Sequence, residues 1–452
     1  MHITIPDVEK RLQNRYKQLV QEHSGQAHSV ASGPRLLPDQ SSAKAGAMAA
    51  WRFYDNPRTT FPRLAAPLLT AAADAAAQHC QQFALVPLDW SWLNYRPHTS
   101  KADRIKGPNG VLGYKLLSAL LLSDQDGLPL APLCVQLQTA RGLLSSRFKR
   151  CRRPGTALDE LAPVLDFVND LPLGKRPVFI IDAEADSVFH WRLWQLRQSL
   201  FVVRGDDDRK VRLGGPDGED LLLPEIAKRL RRQQAFVRLR EVAYQGRQVG
   251  QYVAEVAVVV DRPAWLHRTI DGQRKRREVR GVALPLRLVI TELRDDKGRV
   301  LERWYLLTNV PAEVSAATIA LWYYWRWKIE TFFKLLKGAG QQLEHWQQED
   351  GVALLKRLLV ASMACVLAWR LGHSQAPQAE EARRVVMRLS GRQVEHGKKY
   401  TLEGLLAGTW VLLAMAALLK ETPATQVQQM AAFVLNGSVQ TSTQPVTRRD
   451  TG

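Results

Sequence analysis

Tyr323-Tyr-Trp-Arg-Trp-Lys-Ile-Glu-Thr-Phe-Phe-Lys-Leu-Leu-Lys337 is the stretch on which the reading of this chain turns. It lies within residues 315–338, whose pattern reads as one continuous helix. Tyr323, Arg326, Glu330 and Lys337 stand at offsets of 0, 3, 7 and 14. At 3.6 residues per turn they fall within about 60° of one another on the helix surface. Lys334 lies at the edge of the same stripe. A lone glutamate among cations is ordinarily a solvated ion pair of little energetic weight. Here Trp322, Trp325, Ile329, Phe332 and Phe333 make the rest of the helix apolar. A polar stripe on an otherwise buried helix faces a site rather than open water.

Two more acids join Glu330. Phe83-Ala-Leu-Val-Pro-Leu-Asp89 and Pro177-Val-Phe-Ile-Ile-Asp182 are short apolar runs that each end in an aspartate. A carboxylate closing a buried strand is costly unless it is paired or holds a cation. Each aspartate alone is commonly a cap or a turn residue; two of them plus a glutamate on a polar-striped helix make a sharper case. Three carboxylates without a suitable His or Cys suit Mg²⁺ or Mn²⁺ rather than zinc. Two such ions about 3.5–4 Å apart activate a water or a 3′-hydroxyl and stabilise the leaving oxygen, which is the chemistry of phosphodiester cleavage and strand transfer. Strand, strand, then helix is an order in which a ribonuclease-H-like sheet could gather its acids.

Outward from these segments the chain changes character in steps. Residues 7–23 read as a basic helix, 24–42 as a polar loop, and 43–53 as a second helix that breaks at Asp55-Asn56-Pro57. Residues 64–82 form a further alanine-rich helix, and this N-terminal region reads as separable. Strand candidates follow at 83–89, 113–122 and 129–138, then a helix at 159–171. A strand at 177–182, a helix through Arg197 and a strand at 200–204 complete the pattern. Strands first in a meander, then alternating with helices, predict a mixed α/β sheet. Residues 207–305 are Arg- and Lys-rich with alternating stretches and turns at Asp271-Gly272 and 295–298, which reads as a β-rich insertion. From Ala316 to about Leu435 the chain is mostly helical, and 436–452 reads as a polar, disordered tail. No internal repeat is found.

Composition sets the outer limits. The 452 residues allow two or three domains, and 46% hydrophobic with 24% charged residues is ordinary globular composition. The net charge is less ordinary: 63 Lys plus Arg against 44 Asp plus Glu gives +19. Such a field attracts polyanions, and it favours nucleic acid over an anionic membrane or a merely solvated basic surface. Four cysteines without a CxxC pair or a His at zinc-ligand spacing argue for a reducing compartment and against a structural zinc or disulfide framework. No signal-peptide layout opens the chain. Apolar runs at 358–369 and 405–419 fall short of the ~20 residues that cross a bilayer and read as buried helices, with no membrane as partner. A soluble cytoplasmic protein is the expectation.

The spacing Tyr323-x2-Arg326-x3-Glu330-x6-Lys337 resembles the Tyr-Arg-Glu-Lys signature of bacterial cut-and-paste DDE transposases of insertion-sequence family four, the group containing the Tn-five transposase. Other segments look similar: Ala50-Trp-Arg-Phe-Tyr-Asp-Asn-Pro57 to the group's DNA-binding segment, Leu88-Asp-Trp-Ser91 and Ile181-Asp-Ala-Glu-Ala-Asp186 to its acid motifs. Phe201-Val-Val-Arg204, Arg303-Trp-Tyr-Leu-Leu-Thr308 and Gly338-Ala-Gly340 also match. Ala183, and Trp90-Ser91 in place of a Thr-Thr pair, depart from the family pattern, and the N-terminal helices match only loosely.

The resemblance implies a ribonuclease-H-like mixed-sheet core with a β-rich insertion, flanked by helical N- and C-terminal regions. The corresponding segments are 1–65 for DNA-end binding, 66–206 and 306–345 for the core, 207–305 for the insertion, 346–437 for dimerisation and 438–452 for the tail. It implies Asp89, Asp182 and Glu330 as catalytic metal ligands for Mg²⁺ or Mn²⁺, two ions in number. Tyr323, Arg326, Lys334 and Lys337 would hold DNA phosphates, with Arg204 a further phosphate contact. Trp304 would push a base from the stack and Trp327 would receive it, easing a DNA hairpin; a core tryptophan is the plain alternative for Trp304. Arg52 and Arg58 are candidates for end recognition. The implied protein is bacterial and nucleoid-associated, and works as a homodimer on double-stranded transposon ends and target DNA. Rival readings are a ribonuclease-H-like nuclease that never joins strands and a domesticated DNA-binding protein.

Overall fold

The computed structural model describes residues 4–25, 40–151, 156–215, 217–270, 273–338, 341–394 and 400–436. The expected polar tail at 438–452, the turn at Asp271-Gly272, Ala339-Gly340 and most of the 24–42 loop lie outside the described residues. The helix expected from residue 43 starts earlier, spanning Gln40–Asp55.

Five strands form the centre of a fourteen-stranded mixed sheet: β1 (Phe83–Asn94), β2 (Leu112–Ser123), β3 (Pro129–Thr139), β4 (Arg176–Ile181) and β5 (Leu200–Gly205). β1, β2 and β3 are successive antiparallel neighbours, whereas β4 lies parallel to β1 and β5 parallel to β4. The parallel steps are reached through helices, Leu161–Asn169 before β4 and Val188–Leu196 before β5, as a parallel crossover requires. β2 and β3 are buried almost residue after residue rather than alternately, the pattern of strands covered on both faces. Helices Phe61–His79 and Gly351–His373 pack against β3.

The insertion is β-rich, as expected, but does not stand apart as a sheet of its own. β6 (Arg247–Val260), β7 (Leu284–Arg294) and β8 (Val300–Thr308) extend the central sheet, with β8 paired to β5. It also carries a helix, Leu223–Arg232, that alternation alone did not reveal. Among the described strands of the insertion, only those of a short hairpin, Ala264–Ile270 with Gln273–Val279, lie outside that sheet.

Three expectations need correction. The N-terminal helices are not separable: Tyr16, Leu19, Val20, Ala50, Phe53 and Tyr54 belong to the same buried cluster as the sheet. Their apolar faces have no other place to hide from water. The two late apolar runs lie in helices of 23 and 20 residues, Gly351–His373 and Leu402–Glu421, long and apolar enough to cross a membrane by length and composition. The flanking polar residues obscured that length in sequence. The first is buried inside the protein over 89% of its most apolar window, the second over 33%.

The third correction concerns residues 315–338, which form two helices, Ala316–Trp325 and Lys328–Lys337. Ser315 caps the first through its side chain, accepting from Thr318 N–H at 3.1 Å. At the junction the hydrogen bonds tighten to a three-residue step, from Arg326 N–H to Tyr323 O (3.1 Å) and from Ile329 N–H to Arg326 O (3.1 Å). In such a turn residues three apart eclipse, so Arg326 stands directly over Tyr323.

Candidate active site

The sheet register brings the two aspartates together. β1 and β4 pair from Phe83↔Arg176 to Pro87↔Ile180, and that register carries on to Asp89 and Asp182. β4 ends at Ile181, while β1 continues to Asn94 against β2, so Asp89 is mid-strand rather than terminal. Its parallel partner has stopped beside it, and the sheet edge opens there. Asp182 leaves β4 and caps the short turn Ala183–Ala185, its Oδ1 accepting from Glu184 N–H at 3.0 Å. Both acids thus stand where the parallel pairing of β1 with β4 ends, close to the usual place for a site in an open α/β sheet.

The helix Lys328–Lys337 adds Glu330, and Arg326 joins all three acids. Its Nη1 lies 3.1 Å from Asp89 Oδ2 and 3.8 Å from Asp182 Oδ2, and its Nη2 lies 3.9 Å from Glu330 Oε1. Arg326 is 5% exposed and sits near the rings of Tyr323 and Trp327, at 5.8 and 5.3 Å. Burial pushes the Asp89 carboxyl up to about 6; Arg326 opposes the shift, and the neighbouring Asp182 and Glu330 add to it. Glu330 is also raised by burial, against the pull of Arg326 and Lys334. Burial alone would lower the Arg326 pKa, but Tyr323 and the three acids outweigh it and raise it.

Two of the acids, Asp89 and Glu330, border a cavity of 590 Å³ whose other walls include Trp90, Phe333, Lys334 and Lys337. Lys334 is exposed. Lys337 is tied back instead, donating to Trp92 O with Glu344 at 3.8 Å, and burial lowers its pKa. Tyr323 is 2% exposed and packs on Trp304, ring centroids 5.5 Å apart. The four-residue stripe is therefore not a uniform phosphate-facing surface: Tyr323 is a packing residue and Arg326 is engaged by the acids.

Trp304 is 4% exposed on β8, so it is first of all a core tryptophan. It nevertheless lines a second cavity, of 660 Å³, together with Arg204, Tyr244, Tyr324, Trp325 and Trp327. Trp327 is 49% exposed, and Arg204 lies 3.5 Å from Glu302. Arg52 and Arg58 are not brought to either cavity: Arg52 is exposed near the end of helix Gln40–Asp55, and Arg58 is ion-paired with Glu9.

Sequence reasoning missed Tyr244, Tyr324, Lys328 and Glu403. Tyr324 and Lys328 sit inside the decisive stretch and could have been found by asking what lies beside Trp327. Nothing local marks Tyr244, at the end of an insertion strand, or Glu403, which reaches the first cavity from the C-terminal helix Leu402–Glu421.

No family model matches the chain, and no curated protein matches it. Among solved structures it is similar to the piggyBac transposase in a cryo-EM synaptic complex with hairpin DNA. The identity is 11% and the TM-score 0.39, over 95% of this chain and 76% of that one. A likeness of that size carries no functional argument.

Proposed function

We propose that the chain is a DNA transposase of the DDE type, cutting transposon ends by metal-dependent phosphodiester hydrolysis and joining them to target DNA. The observation that carries this reading is the convergence of Asp89, Asp182 and Glu330 on one guanidinium. Acids from strand, strand and helix, in that order, fit a ribonuclease-H-like core. The net charge of +19 suits a polyanionic substrate.

As the hard-oxygen donors of the site, Asp89, Asp182 and Glu330 would hold two Mg²⁺ or Mn²⁺ ions. When bound, these would supply an activated water or 3′-hydroxyl and neutralise the leaving oxygen. Lys334, exposed at the cavity, would attract and hold the backbone phosphates. The aromatic cavity beside the helix break has room and stacking faces for an unstacked base, with Trp327 exposed at its wall and Arg204 to hold a phosphate. Extruding a base costs a few kcal/mol, and stacking at about 1–3 kcal/mol per base offsets it, which would permit the tight turn of a hairpin intermediate. Cut-and-paste movement, membership of insertion-sequence family four, a homodimer through the C-terminal helices and a place at the bacterial nucleoid in the cytoplasm belong to the same proposal.

The test is joining. A short duplex copied from the terminal repeats flanking the coding region is incubated with the full chain, Mg²⁺ and a supercoiled plasmid. Nicked end, hairpin and plasmid-joined products are expected. Cleavage without joined product would instead mark a nuclease, and undiminished cleavage by Glu330→Ala would remove the assignment altogether.

A further inference from the structure

A guanidinium occupies the point where the three carboxylates meet. Of its contacts with the three acids only the one to Asp89, at 3.1 Å, is a hydrogen bond; those to Asp182 and Glu330, at 3.8 and 3.9 Å, are looser ion pairs. The Arg326 Nε–H is buried and finds no acceptor. One positive charge thus serves three acids, and the donor set of the arginine is only partly used.

A divalent ion makes a different demand. Mg²⁺ draws carboxylate oxygens to about 2.0–2.1 Å. Acids spaced around a guanidinium at 3.1–3.9 Å would have to close by more than about 1 Å, through the volume that Nη1 and Nη2 fill. Among the described residues no three Asp, Glu, His or Cys side chains are gathered tightly enough to hold an ion. At this place Arg326 accounts for the spacing.

We propose that Arg326 is a built-in counter-ion that competes with the divalent cation for Asp89, Asp182 and Glu330, so that metal loading requires its guanidinium to leave. The inference rests on these acids being the metal site proposed above. A displaced guanidinium needs acceptors, and a DNA phosphate offers them in the planar, two-pronged geometry that arginine matches. Phosphate engagement and metal loading then favour each other, because such a coupling is reciprocal.

The experiment is a calorimetric titration of the full-length chain with Mn²⁺ in the absence of DNA, comparing the native protein with Arg326→Gln, Arg326→Lys and the double variant Asp89→Asn, Arg326→Gln. Arg326→Gln is expected to bind Mn²⁺ about tenfold tighter or more, within the usual range of coupling strengths, and Arg326→Lys, which keeps the charge, to lie between the two. Equal or weaker binding by Arg326→Gln overturns the proposal while leaving the metal-site reading intact. If Asp89→Asn in that background leaves the affinity unchanged, the metal-site reading itself fails. Should Arg326→Gln not fold, the native protein still decides the matter through phenylglyoxal labelling read by mass spectrometry. Mn²⁺ should speed modification of Arg326 several-fold, and an unchanged or slower rate overturns the proposal.

Discussion

Asp182, one residue past the end of β4, falls where the β1–β4 register carried on from Pro87↔Ile180 places it opposite Asp89, although nearly a hundred residues separate the two in the chain. Residues in register on parallel strands present their side chains to the same face of the sheet. Two like charges so placed repel, and burial of the first adds to the cost. Arg326 offsets that cost in part, but Asp89 still needs a pH of about 6 to lose half its protons. The site is therefore built against its own stability, which is what a functional cluster of acids looks like.

That strain can be measured directly. The Asp89 carboxyl has a folded pKa of about 6 against an ordinary 3.8, so the folded state binds the proton more tightly than the unfolded chain does. Stability is then lost as pH rises between those values, and the penalty is complete above about 6. Asp89→Asn imitates the protonated acid. It is expected to raise the unfolding free energy at pH 7.5 by roughly 1–3 kcal/mol in metal-free buffer, and to be neutral below about pH 4. Urea titrations at the two pH values check this; a loss of stability at pH 7.5 contradicts it.

Activity should respond in the opposite sense. Asp182→Asn and Glu330→Gln remove one ligand each from a unit that acts together, and should reduce end cleavage by on the order of 10³ or more. Circular dichroism should remain native. With limiting Mn²⁺, cleavage by the native protein should rise with pH through about 6, as Asp89 loses the proton that competes for the ion. A flat profile at limiting metal would detach Asp89 from metal binding.

Trp304 and Trp327 should separate packing from stacking. Trp304 is buried at 4% exposure against Tyr323, so Trp304→Ala is expected to cost about 3–5 kcal/mol of stability. Trp327, half exposed at the second cavity, should cost under about 1 kcal/mol as Ala yet lower hairpin yield severalfold. The readouts are denaturant midpoints and a gel assay of hairpin product. Equal stability losses would show that both are core residues.

Gly127 bears on the same helix from outside. It turns the chain between β2 and β3 at φ +67°, and an added Cβ would come within 2.3 Å of the Trp325 ring, next to Arg326. Gly127→Ala is expected to destabilise by roughly 1–3 kcal/mol and to weaken cleavage, because Trp325 must shift. Thermal unfolding and cleavage rates check the pair of effects.

Lys334 is exposed at the acid cavity, whereas Lys337 is held by Trp92 O and Glu344. Lys334→Ala should therefore reduce the salt dependence of DNA binding by about one ion, seen as a shallower slope of log affinity against log salt. Lys337→Ala should act more on stability. Fluorescence anisotropy across a salt series distinguishes them.

Local sequence was enough for much of this protein. Apolar runs with acids behind them, a meander followed by strand–helix alternation, and the Tyr323–Lys337 spacing were all legible, because strand and helix periodicities are short-range signals. The basic charge spoke for a polyanionic partner by simple counting. What it could not reveal were relationships set by packing over long separations: the register that sets Asp182 opposite Asp89, and the burial of Tyr323 and Trp304 against each other. The break at Arg326 was hidden too, because a tightened turn and a continuous helix have the same residue pattern and differ only in hydrogen bonding. Tertiary structure alone decided that Arg326 faces three carboxylates, since only the assembled sheet and helix bring those charges within reach of one guanidinium.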